Sequence, residues 1–263
     1  MILLWLGLPE WAIVACLGCG LGLTGALINW LTFHSPAKVW IAGFQGVVAP
    51  FFVSAALPLG LMTGFLASDI WDANRQAARA IQQEADAVSM LIALDVPAAS
   101  RPAPSQPAPS QPSGVAETAR AYMRSVIEDD WPRRATGNGA PITTERFSAL
   151  TRAVATGHAE QTGVQTAMLA AVGRLADARS TRLSLMGSHT SALRWSVVLL
   201  LAVLTQMAVA AVHLERRRAQ AVALILSTSA SVITIGLIAA LDQPYHGAYQ
   251  VSPAPYRQVL GGN

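Results

Sequence analysis

The sequence predicts an all-α integral membrane protein with four transmembrane helices in two hairpins and long amphipathic helices between them. Three observations predict it. Mean hydropathy is +0.40 and only 13% of the 263 residues are charged, too few for an ordinary water-soluble domain. Four stretches carry no charge at all: residues 11–33, 39–68, 195–213 and 219–241. About 20 apolar residues cross roughly 30 Å of hydrocarbon, and a charge inside it costs several kcal/mol. Finally, the charges are segregated, most of them lying within residues 69–194, so the chain alternates membrane, water, membrane.

The first hairpin occupies residues 1–68. Its turn follows Phe33 and contains Pro36 and Lys38, and Gly18 and Gly22 lie four apart, a spacing that allows close helix approach in lipid. Its second helix, 39–68, is longer than a bilayer requires and contains Pro50 and Pro58, read as helix breaks. Residues 69–96 continue it as an amphipathic helix. Trp71, Asn74, Ala78, Ile81, Ala85, Val88 and Ile92 mark the apolar face, and Arg75, Arg79, Glu84 and Asp86 lie mostly off it. Residues 97–114 form a Pro-rich linker with the tandem repeat Pro-Ala-Pro-Ser-Gln, a composition that favours an extended spacer.

Residues 115–190 are a polar helical region. A short helix over 115–130 carries Val115, Ala119, Tyr122, Met123, Val126 and Ile127 on one face, and Pro132 follows its end. Thr143 or Thr144 then caps a long helix reaching toward Met186, with Phe147, Leu150, Val154, Val164, Met168, Ala171, Leu175, Ala178 and Leu185 near heptad spacing. That seam fits a coiled coil between chains or packing against the chain's own 69–94 helix. The second hairpin spans 191–241, with Ser227, Ser231 and Thr234 on one face of its last helix, suited to an aqueous path or to helix–helix hydrogen bonds. Residues 242–263 form a C-terminal tail.

Several chemistries lack the residues they need. No nucleotide-binding glycine loop, nucleophile elbow or His-Glu-x-x-His pattern occurs, so an enzyme reading has nothing to rest on and no cofactor is expected. The five histidines lack metal-ligand spacing, and Cys16 and Cys19 alone make a poor zinc site; no metal is expected. Net charge is +3, but the 69–194 region is nearly balanced and has no basic stripe for nucleic acid.

Three segments resemble a family, the bestrophin-like membrane proteins of bacteria. Residues 64–85, GFLASDIWDANRQAARAIQQEA, look like a membrane-helix end followed by a helix with Arg75, Arg79 and Glu84. Tyr122 through Trp131 and Pro132 is similar to the family's Tyr…Glu-Trp-Pro segment. Asp242, Pro244 and Gly247, with Val251 and Ser252 after them, resemble its Leu-Asp-Arg-Pro-Phe-x-Gly tail, although Gln243 and Tyr245 replace its Arg and Phe. The resemblance implies a homo-oligomeric channel for small ions with a pore-lining second helix. Phe44, Phe51, Phe52 and Phe65 are then candidate constriction residues, joined by Ser227, Ser231 and Thr234. It also implies a bacterial cytoplasmic membrane location with the middle region and both termini in the cytoplasm, although the turn containing Arg216 to Arg218 argues the reverse when short loops alone are counted. The competing expectation is a non-conducting scaffold that binds a partner through its amphipathic helices.

Overall fold

A computed structural model describes residues 9–36, 49–95, 114–131, 143–157, 162–187, 190–242, 244–245 and 250–261, with side chains omitted at a few helix ends. These residues form helices α1 (Glu10–Phe33), α2 (Ala49–Leu94), α3 (Val115–Ser125) with a π-helical turn (Val126–Asp130), α4 (Thr144–Gly157), α5 (Thr162–Gly187), α6 (Ala192–Val212), α7 (Arg217–Ala240) and α8 (Ala254–Gly261). There is no strand among the described residues. The helices divide between two compact units: Met1–Ala73, His189–Gln243 and Gly247–Tyr249 in one, and Asn74–Ser188, Pro244–His246 and Gln250–Asn263 in the other.

The first unit carries the four membrane spans, in α1, α2, α6 and α7. Their inner faces share a core of Ile13, Leu17 and Leu21 from α1, Leu66 and Ile70 from α2, Trp195, Val198 and Ala202 from α6, and Val232, Ile235 and Ile238 from α7. Large apolar side chains stand exposed on these helices, as lipid allows: Leu23, Leu27, Leu200, Ile225 and Ile233 among them. Close approach falls at glycines other than the pair expected. A Cβ on Gly18 or Gly22 would meet open space, whereas one on Gly236 would sit 3.2 Å from Val14 Cγ2 of α1. The spacing of Gly18 and Gly22 is permissive, but no neighbouring element among the described residues makes use of it.

Polar side chains join the spans where hydrophobic packing alone cannot discriminate helix from lipid. Gln206 of α6, 1% exposed, donates to the Leu21 carbonyl (2.9 Å) and to Thr228 Oγ1 (2.8 Å), and accepts from Thr24 Oγ1 (2.7 Å). One amide therefore ties α1, α6 and α7. One end of the bundle repeats the device: Asn29 donates to Gln220 (2.9 Å), which donates to the Ala210 carbonyl (2.9 Å). At the other end Arg194 meets Asp69 at 2.7 Å, both more than half exposed, a pair worth at most about 1 kcal/mol.

Helix α2 is 46 residues, roughly 70 Å long. It runs past Ser68 and Asp69 without interruption, as the absence of a breaker there predicts. Pro58, expected as a break, lies inside the helix and does not end it; Pro50 is the second residue of the helix as described, and the residues just before Ala49 lie outside the described ones. Pro58 lacks only its own donor toward the Ser54 carbonyl, a loss that a long helix absorbs when its other bonds persist. Residues 39–48 and the Pro-rich segment 97–113 lie outside the described residues.

In the second unit the apolar faces close on one another. Ala77, Ile81, Ala85, Val88 and Leu91 of α2 form one core with Val115, Ala119, Tyr122, Met123 and Val126, with Leu150 and Val154 of α4, and with Met168, Ala171 and Leu175 of α5. The heptad seam is thus occupied within the chain. Trp71 and Ala78, placed on the inner face by the sequence pattern, are exposed. The long helix expected from Thr144 to Met186 is two helices: α4 ends at Gly157 and α5 begins at Thr162.

Replacing Gln206 by Ala should strip three interhelical hydrogen bonds and lower the unfolding free energy in detergent by about 1–2 kcal/mol, since such bonds average about 0.6 kcal/mol each. Chemical unfolding followed by tryptophan fluorescence tests this; an unchanged midpoint would mean the amide does not hold the bundle.

Candidate functional site

Helix α2 enters the second unit with its buried positions at 77, 81, 84, 88 and 91, steps of four and three that include a carboxylate, Glu84. Helix α5 offers a matching row at 175, 178, 182 and 185, which includes a guanidinium, Arg182. Neither side chain has any solvent exposure. Arg182 clasps Glu84 with two donors, Nε at 2.7 Å and Nη2 at 3.2 Å. The remaining acceptor capacity goes to two tyrosines: Tyr122 Oη donates to Glu84 Oε1 in a very short bond, and Tyr256 Oη donates to Oε2 at 2.7 Å. Each carboxylate oxygen therefore holds two donors. That is the condition under which a buried charge is tolerated.

A second acid stands behind this pair. Asp130 Oδ2 lies 3.7 Å from Arg182 Nη1 and accepts from Thr143 Oγ1 at 2.9 Å. Thr143 occupies the position before α4, as expected, but its hydroxyl is spent on Asp130. The π turn reaches Asp130: the Trp131 N–H bonds to the Val126 carbonyl, five residues back, which adds a residue to the turn. Trp131 then meets the rings of Tyr245 and Tyr256 edge-on, at 5.9 Å each. The Val251 N–H bonds to the Pro244 carbonyl at 2.8 Å. Beside the cluster Arg179 binds Thr144 at 3.0 Å and covers the Phe147 ring, 5.3 Å from its centroid.

Burial, and then the Glu84 carboxylate, hold the Tyr122 and Tyr256 hydroxyls well above the usual phenol range. Burial opposes the charge on Arg182, but Glu84 and the two hydroxyls outweigh it, and the guanidinium is held above its ordinary value. With its lone pairs occupied, Glu84 has no acceptor left for a ligand. What the cluster does is join α2, α3, α5 and α8 at one carboxylate.

Two of the three resemblance segments thus supply members of one cluster: Glu84, then Tyr122 with Trp131. The third divides. Asp242 is buried and accepts from Thr190 in a very short bond, joining the start of α6 to the end of α7, while Pro244 belongs with the second unit. Arg75 and Arg79 are exposed on α2. Pro132 and Gly247 lie outside the described residues. Glu84, expected mostly off the apolar face, sits at its centre. Arg182 and Tyr256 were missed as site residues. A charge of each sign at an inward heptad position of two helices is the signal that pairs Glu84 with Arg182; nothing local marks Tyr256.

The proposed pore residues scatter. Phe65 is 61% exposed on α2, in line with Val53, Leu57 and Leu61. Phe52 instead packs toward Val209, Ala210 and Leu224. Phe44 and the Phe51 side chain lie outside the described residues. Ser227 and Ser231 are half-buried, and Thr234 is exposed in a groove of about 360 Å³ shared with Gly60, Thr63 and Gly64 of α2.

Arg182→Met should cost about 3–5 kcal/mol by stranding Glu84, and adding Glu84→Leu should recover part of it; thermal melts of the single and double variants decide. The tyrosines also set an alkaline limit. In the unfolded chain they ionise near pH 10, whereas the folded state retains their protons. The unfolded state then binds fewer protons, so stability falls as pH rises past about 10, by up to about 1.4 kcal/mol per unit per tyrosine. Melts between pH 8 and 11.5 should show the Tyr122→Phe/Tyr256→Phe protein declining less steeply; parallel curves would refute the assignment.

A family model described as bestrophin-like domain matches residues 19–256. No curated protein and no solved structure matches the chain. The matched span takes in α1 from Cys19 onward, the other three membrane helices and every member of the Glu84 cluster. The chain belongs to the bestrophin-like domain family.

Proposed function

We propose that this protein is the subunit of an oligomeric channel for small ions, with the membrane part of α2 lining a central pore. One observation carries the reading. The membrane part of α2 presents a row of large side chains that the described residues leave uncovered: Val53, Leu57, Leu61 and Phe65, spaced four apart and each more than half exposed. The other face of α2 meets the bundle through Leu59, Leu66, Ala67 and Ile70. A helix so placed is free to face copies of itself around an axis. Family membership supports the choice, because bestrophins conduct through a pore lined by their second helix. Of the phenylalanines considered, Phe65 is the one whose described side chain is on the open face, and a ring of such residues would form a constriction that closes by expelling water.

The amphipathic faces on which a scaffold role would depend are spent inside the chain's own second unit. In this reading the protein lies in a bacterial cytoplasmic membrane, with its termini and second unit on the cytoplasmic side.

Purified protein reconstituted into liposomes should pass small anions or cations above the rate of empty vesicles. Phe65→Ser should raise that flux several-fold by wetting the constriction, with the oligomer unchanged in size-exclusion chromatography. Flux at the empty-vesicle level from correctly assembled oligomers, for both proteins, would sink the channel reading.

A further inference from the structure

The turn between α6 and α7 places three consecutive arginines, Arg216, Arg217 and Arg218, at the end of a membrane span. All three are exposed, and Glu215 is the one carboxylate within residues 213–218. Guanidinium retains its charge at any physiological pH and pairs with phosphate through two parallel donors. The patch does not stand alone. Arg218 begins a row along one face of α7 that continues through Val222, Ile225, Ser229 and Ile233, at steps of four and three. Val222, Ile225 and Ile233 are 57%, 64% and 70% exposed.

From Val222 to Ile233 that face is about 16 Å long, the depth of one leaflet of a hydrocarbon core about 30 Å thick. The Asn29–Gln220 hydrogen bond holds the end of α1 beside this start of α7. Trp30 follows Asn29 there and is 53% exposed, an aromatic residue of the kind that sits at headgroup level. A shallow groove between α1 and α7, floored by Gly25, Ala26 and Ala221, adjoins the same face at Ile225 and Ser229.

We propose that Arg216, Arg217 and Arg218 bind the phosphate headgroup of an anionic phospholipid whose acyl chains lie along the Val222–Ile225–Ile233 face of α7. The ligand is a lipid and not a dissolved anion because the charged patch runs directly into an apolar face of leaflet depth. The site is independent of whether the protein conducts.

Native mass spectrometry of the purified protein in detergent tests it, since a micelle has no sides and the orienting effect of the arginines is removed. The probes are phosphatidylglycerol and phosphatidylcholine at equal concentration. The protein should retain phosphatidylglycerol preferentially, and added salt should weaken the preference. Arginines near an anionic lipid surface contribute about fivefold in affinity each, so Arg216→Gln/Arg217→Gln/Arg218→Gln should lose roughly a hundredfold. The triple Arg→Lys protein should keep most of it, which separates charge from folding. Equal retention of the two lipids, or an unchanged preference in the triple Gln protein, would overturn the proposal. So would glycerol 3-phosphate binding as tightly as the intact lipid.

Discussion

Glu84 and Arg182 meet 98 positions apart in the chain with no water around either of them. Taking two such charges out of water costs several kcal/mol each, and only good geometry with further hydrogen bonds restores it. The donors are supplied by separate segments: Tyr122 from α3, Arg182 from α5, Tyr256 from α8. The carboxylate is therefore satisfied only when all of these helices are in place. An apolar core of Ile, Leu and Met tolerates small shifts of register; a carboxylate with four designated donors does not. The rest of the second unit, including the π turn that brings Asp130 to Arg182, is arranged around that requirement.

The membrane unit solves the same problem with neutral groups. In lipid, apolar side chains are as comfortable facing outward as inward, so burial by itself does not select neighbours. Gln206 does, by joining three helices through one amide, and Gln220 does so again near the Arg216 turn. Charges are confined to the ends of the spans, at Asp69 with Arg194 and at Arg216 to Arg218. One unit is thus specified by a buried ion pair and the other by buried amides, as their different solvents require.

Helix α2 is the element common to both. Its first half is written for lipid and its second half for a protein core, and no residue between them stops the helix. Phe65 on the open face and Glu84 in the buried cluster stand 19 positions apart on that single helix.

The sequence by itself determined the four spans, the continuation of α2 past Ser68 and the inward face of α3. These are local properties: partition between lipid and water depends on the composition of some twenty neighbouring residues, and a helix continues unless something nearby breaks it. Only the tertiary structure decided the partner of the α4–α5 seam, because a heptad row facing another chain is identical to one facing its own. Likewise it decided that Gly236 and not Gly18 meets a neighbour, that Phe52 turns inward while Phe65 does not, and that Tyr256 completes Glu84. Trp71 and Ala78, which apolar periodicity places on the inner face of α2, fall outside it, because the true inner face includes a carboxylate, Glu84. A charge reads as surface until its counter-charge is in view, and Arg182 comes into view only when the chain has folded.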